Sequence, residues 1–334
     1  MNVVLLTGPG GDAQGWGDMS VTKSVAEAID ASGHHSQIAY VETDADFLDL
    51  LARGGFDLVW SALYYITPNE KFIGRGQDGL WVADVLDERR IPYIGSNSQT
   101  MRAMIDKYTT HESLAAKHVP VPAHHLLRPG DDISAIRFPA FVKPMCESRS
   151  VGISNDSVVE DAAQLRRQVA YIEREFDESA LVEDFMPGDE FTVLVLGNGN
   201  DRECLPGLVT VEEKHYGKYK VLRSDLRGVG LTHIVPPGPR ATEAGELATL
   251  AANAMNCLDH VRIDIKTDAA GALRIMEVNG IPGLKPHKSW GPQLYTLHHQ
   301  SPGGEMEDYR RLVAAVIESA RERYGMRAGS SARV

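Results

Sequence analysis

"RIDIKTDAAGALRIMEVN", residues 262–279, is the stretch on which the reading of this chain turns. Its apolar residues predict strands at Val261–Lys266 and Ala272–Val278, with Asp268–Gly271 as the turn between them. Side chains along a strand alternate faces, so Arg262 and Asp264 share one face, and Glu277 and Asn279 share a face of the returning strand. With a turn this short, all four line one patch. Two carboxylates and an amide oxygen make a hard-oxygen set for Mg²⁺, or Mn²⁺ in its place, that leaves positions for water and phosphate. An arginine beside them suits a developing oxyanion. Seen alone, the segment reads equally well as a solvated hairpin face with ordinary cross-strand pairs.

Outward from the hairpin, two upstream segments carry compatible chemistry. In "FVKPMCESRSVGIS", Lys143 ends a strand before a loop of small polar residues, an arrangement suited to phosphate or to an exposed, snorkelling lysine. In "LVEDFMPGDEFTV", Glu183 ends one strand and Glu190 begins the next. They suit sugar hydroxyls or an exocyclic amine, and they equally suit an ordinary surface.

The N-terminal part alternates strand and helix signals: Val3–Leu6, a helix at Ser20–Ser32, Gln37–Val41, a helix at Asp44–Arg53, Phe56–Trp60 and a helix at Gly79–Arg89. This rhythm predicts an α/β unit with a parallel sheet. Helices are expected at Ser98–Asp106 and Thr109–Lys117. A strand-richer stretch follows, with strands at Ala123–Leu127, Phe138–Val142, Val151–Ile153 and Leu181–Phe185 and a helix at Val158–Phe176. Further strands are expected at Glu190–Leu196 and Leu208–Val211, with helices at Arg240–Cys257 and Met306–Arg323 and a frayed tail. Breaks fall near Gly95 and Asp184–Gly188.

A net charge of −12 argues against nucleic acid or an anionic membrane as the main partner. Three scattered cysteines suggest neither a disulfide framework nor a zinc knuckle. The N-terminal apolar run is short for a secretory signal, and a soluble cytoplasmic protein is expected. The "HH" pairs lack the spacing that aims two rings at one metal.

Together with "IPYIGSN…MIDK" and "VPVPAHHLL", and in this order, the segments resemble the ATP-grasp ligases, and within them the D-alanine–D-alanine ligases. The resemblance covers nearly the whole chain. It implies an α/β three-domain ATP-grasp fold: an N-terminal α/β substrate domain over residues 1–96, a central ATP-grasp subdomain over 97–185, and a Mg²⁺-binding catalytic domain over 186–327. ATP is then gripped between the later two. It also implies site roles. Lys107 and Lys143 bind ATP phosphates, Glu183 meets the adenine, Glu190 meets the ribose hydroxyls, and Glu147 joins the ATP set. Asp264, Glu277 and Asn279 hold Mg²⁺, while Arg262 and the Gly283 N–H form the oxyanion site with Ser150 nearby. Lys218 and Tyr219 lie in a lid, "EKHYGKYK", where Lys218 reaches the γ-phosphate. Asp18 grips the first substrate's amino group. Partners are small amino-acid-like molecules, and the family leads to a homodimer.

The resemblance breaks around the substrate pockets. Tyr64 stands where these ligases usually carry histidine, and Arg149 and Lys288 stand where they carry serines. His287 follows the Gly283 turn toward the second-substrate pocket, where a functional and an ordinary loop role fit equally well. The segment at residues 64–79 is longer than usual and more charged. These departures lead to an expectation of intact ATP chemistry acting on larger or more anionic substrates than two D-alanines, against authentic D-alanine–D-alanine ligation.

One rival starts at the N-terminus. In "GPGGDAQGWGD", Gly8, Gly10 and Ala13 satisfy a permissive dinucleotide fingerprint. Gly15 and Gly17 prolong the loop, however, and good helix residues begin near Ser20, which removes the helix N-terminus a pyrophosphate needs. A dinucleotide-dependent oxidoreductase therefore ranks behind the ligase, as does a non-catalytic nucleotide-binding module.

Overall fold

A computed structural model describes residues 1–68, 79–226 and 230–326. Most of the long, charged 64–79 segment and the expected frayed tail lie outside these residues.

The first layer runs β1 (Asn2–Thr7), α1 (Gly11–Gln14), α2 (Met19–Ala31), β2 (His35–Tyr40), α3 (Asp44–Arg53), β3 (Leu58–Ser61), α4 (Val82–Arg89) and β4 (Tyr93–Ile94). Its four strands are parallel, in the order β2-β1-β3-β4. Val3, Val4, Leu5 and Leu6 are all fully buried, as a continuous apolar run in a parallel sheet requires. One expectation needs correction. The glycine run does contain a helix, but a single turn, and the long helix α2 starts only after Asp18, whose carboxylate caps it through Ser20 N and Val21 N.

Helices α5 (Ser98–Ile105) and α6 (Lys107–Ala115) lead into β5 (His124–Leu127), β6 (Ala140–Pro144), β7 (Val158–Val159), α7 (Ala162–Phe176) and β8 (Ala180–Asp184). These strands form an antiparallel sheet ordered β5-β8-β6-β7. The strand expected at Val151–Ile153 is a turn. Ser150 and Gly152 both have positive φ, and Ile153 N bonds Ser150 O at 3.0 Å. Val158 and Val159, expected to open a helix, are strand residues, and the helix waits for its Asp161 cap.

The third sheet holds β9 (Glu190–Leu196), β10 (Glu203–Val211), β11 (Thr232–Val235), β12 (His260–Thr267) and β13 (Leu273–Asn279), ordered β11-β10-β9-β12-β13. Helices α8 (Ala241–Ala254), α9 (Trp290–His299) and α10 (Glu305–Arg323) complete it. Strand β10 starts five residues before the expected Leu208. Pro206 and Gly207 do not break it, because β11 pairs only from Leu208 onward and the earlier part is an edge. Helix α10 returns to the first layer, where Leu312, Val316 and Ile317 share a core with Val3–Leu6. Buried Asp259 ties that junction, accepting from Gly95 N at 2.9 Å and Arg323 Nη2 at 2.6 Å.

Candidate active site

Strands β12 and β13 bring the four hairpin residues onto one patch. Arg262 lies opposite Asn279, and Asp264 opposite Glu277, with a bulge just beyond that leaves Met276 unpaired. Arg262 forks onto Asp264, with Nε to Oδ1 at 2.9 Å and Nη2 to Oδ2 at 2.8 Å. Thr192 Oγ1 donates to the same carboxylate at 2.7 Å, and Asn279 Nδ2 at 3.2 Å. Burial works against the Arg262 charge, but Asp264 outweighs it and holds the guanidinium above its ordinary range. Its face rests 5.0 Å from the Trp290 ring centroid.

Glu277 faces Lys107, whose Nζ is 3.2 Å from Oε1 and also donates to the Glu147 carbonyl at 2.5 Å. Burial opposes that ammonium too, and its anionic neighbours, Glu277 foremost, together offset it, so the Lys107 pKa is raised. Asp264, Glu277 and Asn279 thus converge as hard oxygen donors, with two cations already neutralising the carboxylates. The donor set fits Mg²⁺, with Asn279 presenting its amide oxygen after a half-turn of the side-chain amide.

Two cavities meet at this patch. The smaller, 80 Å³, lies between the second and third sheets and is walled by Lys107, Lys143, Glu147, Ser150, Glu183, Glu190, Asp264 and Glu277, among others. All the residues assigned to ATP except the lid lysine therefore come together. It is smaller than the roughly 300–1,000 Å³ typical of ligand pockets, so its walls must part to admit a nucleotide. Val221 and Leu222, just beyond the lid segment, are among those walls. Glu183 is buried at the back, with Lys143 Nζ at 2.8 Å and His111 Nε2 at 2.7 Å from one oxygen. Burial pushes its carboxyl up, but Lys143 and His111 prevail and hold it at about 2.

The larger cavity, 540 Å³, is walled by Asp18, Tyr64, Lys107, Arg149, Arg262, Glu277, Asn279, Gly283, Lys285 and Lys288, among others. Residues 12–18 of the glycine loop line this cavity, and none of residues 8–18 lines the smaller one. The glycines answer to packing. A Cβ on Gly15 would sit 1.9 Å from the Ala62 carbonyl oxygen, and one on Gly8 2.2 Å from that of Val41. The loop braces its neighbours. Gln14 Oε1 accepts from Tyr64 N and Tyr65 N at 2.9 and 3.1 Å, Trp16 O accepts from Leu284 N at 3.1 Å, and Ala13 O accepts from Ser148 Oγ at 2.8 Å. Gly283 lines the larger cavity, and a Cβ there would meet Ser289 Oγ at 2.8 Å.

Several residues stand differently from expectation. The Asp18 carboxylate is engaged at the α2 cap, although it lines the cavity. The Tyr64 hydroxyl turns to backbone, accepting from Gly280 N and Ile281 N. Arg149 pairs with Asp12 at 2.7 Å, and both line the larger cavity. His287 pairs with Glu305 and lines neither cavity. Lys218 and Tyr219 also line neither, because both bond to Glu160 on the second sheet's side, while the Tyr219 ring packs on Phe185.

Sequence reasoning missed Lys266, His111, Thr192 and Glu178. Lys266 lines the smaller cavity and lies 3.4 Å from Glu190, and its position two residues after Asp264 was a usable signal. His111 follows Lys107 by one helical turn, which was another. Thr192 reaches Asp264 only through the β9–β12 pairing, and Glu178 reaches Cys146 N at 2.9 Å through the second sheet.

Comparison with known proteins agrees with this geometry. The family model described as D-ala D-ala ligase C-terminus matches residues 128–313, more than half of the chain. The D-alanine–D-alanine ligase of Glaesserella parasuis serovar 5 is 28% identical over 306 residues, spanning 89% of this chain and 90% of its own length. An uncharacterised protein of Sinorhizobium fredii is 26% identical over 329 residues, spanning 93% and 90%. The crystal structure of Bacillus anthracis D-alanine–D-alanine ligase complexed with ATP superposes with a TM-score of 0.68 over 97% of this chain and 99% of that one, at 18% identity. The chain therefore belongs to the D-alanine–D-alanine ligase family, ADP-forming, ATP-dependent ligases of the ATP-grasp fold.

Proposed function

We propose that this ligase joins amino-acid-like substrates other than two D-alanines, at least one of them larger or more anionic. The observation that carries this reading is the wall of the 540 Å³ cavity, where Lys285 and Lys288 add two cations beside Arg262, and Arg149, now paired with Asp12, adds a third. A pocket for two small zwitterions has no need of that much positive charge, whereas an extra carboxylate would be drawn to it.

In this reading Lys107 and Lys143 hold the phosphates, and Glu183 and Glu190 hold the nucleoside. Asp264, Glu277 and Asn279 would hold Mg²⁺, which screens phosphate charge and orients the transferred group. The acyl substrate's carboxylate attacks the γ-phosphoryl group, giving an acyl phosphate and ADP. The amine then attacks the acyl carbon, a base takes its proton, and phosphate leaves. Arg262 and the Gly283 N–H stabilise the tetrahedral oxyanion between those steps. Lys218 and Tyr219 leave Glu160 and close over the site, excluding water that would hydrolyse the acyl phosphate. Residues 1–96 form the substrate domain, and 97–185 and 186–327 the two jaws around ATP. The enzyme works as a cytoplasmic homodimer, and no helix among the described residues is long and apolar enough to cross a membrane.

The test is incubation with ATP, Mg²⁺ and pooled D- and L-amino acids, following phosphate release and product masses. A product equal to two substrates minus water identifies both partners. Efficient coupling of two D-alanines, with larger acids ignored, overturns the substrate reading and leaves an authentic D-alanine–D-alanine ligase.

A further inference from the structure

His111 lies behind the nucleotide cavity, on α6, and no role in the reaction has been given to it. Its ring is fully buried, and Nε2 meets Glu183 Oε1 at 2.7 Å. Lys143 Nζ meets the same oxygen at 2.8 Å. The other carboxylate oxygen of Glu183 has no partner among the described residues and belongs to a side chain on the cavity wall. His111 Nδ1 is buried without a partner. An unprotonated nitrogen tolerates that better than a buried N–H without an acceptor, so the neutral ring carries its proton on Nε2 and donates it to Glu183. In the free protein the cluster therefore balances one cation, Lys143, against one anion, Glu183.

The charged and titratable groups facing His111 are few. Glu183 comes from β8 and Lys143 from β6. The His124 ring on β5 packs against it with centroids 5.1 Å apart, and His124 is itself bonded to Glu112. Burial, with Lys143 and His124 adding to it, keeps the imidazole below its ordinary range. The arrangement stays neutral only while Lys143 remains on Glu183. A nucleotide phosphate competes for that ammonium with at least as much negative charge. Once Lys143 turns to phosphate, a carboxylate in a buried site is left with neutral donors alone, His111 and the nucleoside, and no cation, an expensive state.

We propose that His111 and Glu183 form a proton-accepting pair, with His111 as the positioning residue, and that nucleotide binding, by drawing Lys143 to phosphate, loads one solvent proton onto the pair. The bound state is then either imidazolium–carboxylate or imidazole–carboxylic acid, and the net charge of the cluster is restored in both. This rests on the assignment of the smaller cavity to ATP.

The test is calorimetric titration of the full chain with the β,γ-imido analogue of ATP and excess Mg²⁺, in several buffers of differing ionisation enthalpy near pH 7. The slope of observed against buffer enthalpy counts protons taken up. For the unaltered protein we expect about one proton per nucleotide. Glu183→Gln and Lys143→Met should each take the count close to zero, the first by removing the acceptor and the second because the pair is already protonated before binding. Binding with a zero slope in the unaltered protein overturns the proton-accepting pair and leaves the cavity assignment standing. An absence of any binding heat, confirmed by dialysis with labelled nucleotide, overturns both.

Discussion

The phenol oxygen of Tyr64 lies 3.1 Å from the backbone nitrogen of Gly280 and accepts its hydrogen, and it does the same for Ile281. These two amides open the turn between Asn279, a proposed metal ligand, and Gly283, a proposed oxyanion donor. A side chain from the first layer thus fixes a turn of the third sheet. Tyr64→Phe removes only the phenol oxygen and leaves two buried N–H groups unmet, at a cost of about 1–3 kcal/mol for each. We expect a lowered Tm by thermal denaturation. We also expect kcat down by about tenfold or more, with KM for ATP nearly unchanged, because the loss is one of orientation.

Glu277→Gln should act first on the metal, and it also removes the carboxylate that faces Lys107 on the wall of the smaller cavity. The substitution keeps the shape but removes one of two carboxylates in the hard-oxygen set. The expected outcome is an apparent Mg²⁺ constant raised by about 10- to 100-fold in titrations of ADP formation.

Glu178 offers a test by pH. Burial pushes its carboxyl up to about 7, against the bonds from the Cys146 and Met145 amides, with Glu147 adding to the rise. A raised carboxyl is protonated in the folded chain where the unfolded chain has already lost its proton. Its contribution therefore falls as pH climbs from the ordinary carboxylate range to about 7. Glu178→Gln mimics the protonated form, so it should stabilise the protein at pH 8, by something on the order of 2–3 kcal/mol, and leave it nearly unchanged at pH 4.5. Chemical denaturation at the two pH values decides it.

Glu160 holds both Lys218 and Tyr219 in the present arrangement. Glu160→Ala frees the lid from that exposed pairing. Stopped-flow measurements with a fluorescent ATP analogue should show association faster by about two- to fivefold, as expected for a weak surface latch. An unchanged rate would mean that the lid does not limit entry.

The sequence made some of this site legible and hid the rest for identifiable reasons. Strand alternation placed Arg262, Asp264, Glu277 and Asn279 on one patch, because those pairings lie within a single hairpin. It could not reveal that Thr192 joins them, since that depends on β9 pairing with β12 across 72 residues of chain. Helix α9 was overlooked because Gly291 and Pro292 look like breakers, yet both fall in its first turn, where proline has no hydrogen bond to lose. The Tyr64 departure was visible as a changed residue. Its use, as an acceptor for backbone, was not, because nothing local in the chain brings residue 64 to residue 280. Lys218 and Tyr219 were legible as lid residues only by resemblance, and their present partner Glu160 lies 58 residues upstream of the lysine.

Lys107, Arg149 and Glu277 belong to the walls of both cavities. A ligand in one therefore changes the charges that greet a ligand in the other, and thermodynamics makes that influence mutual. Whatever factor a ligand in one cavity adds to the affinity of the other, the second ligand must return to the first. Where that factor exceeds one, such an enzyme holds its nucleotide most firmly when there is something to join.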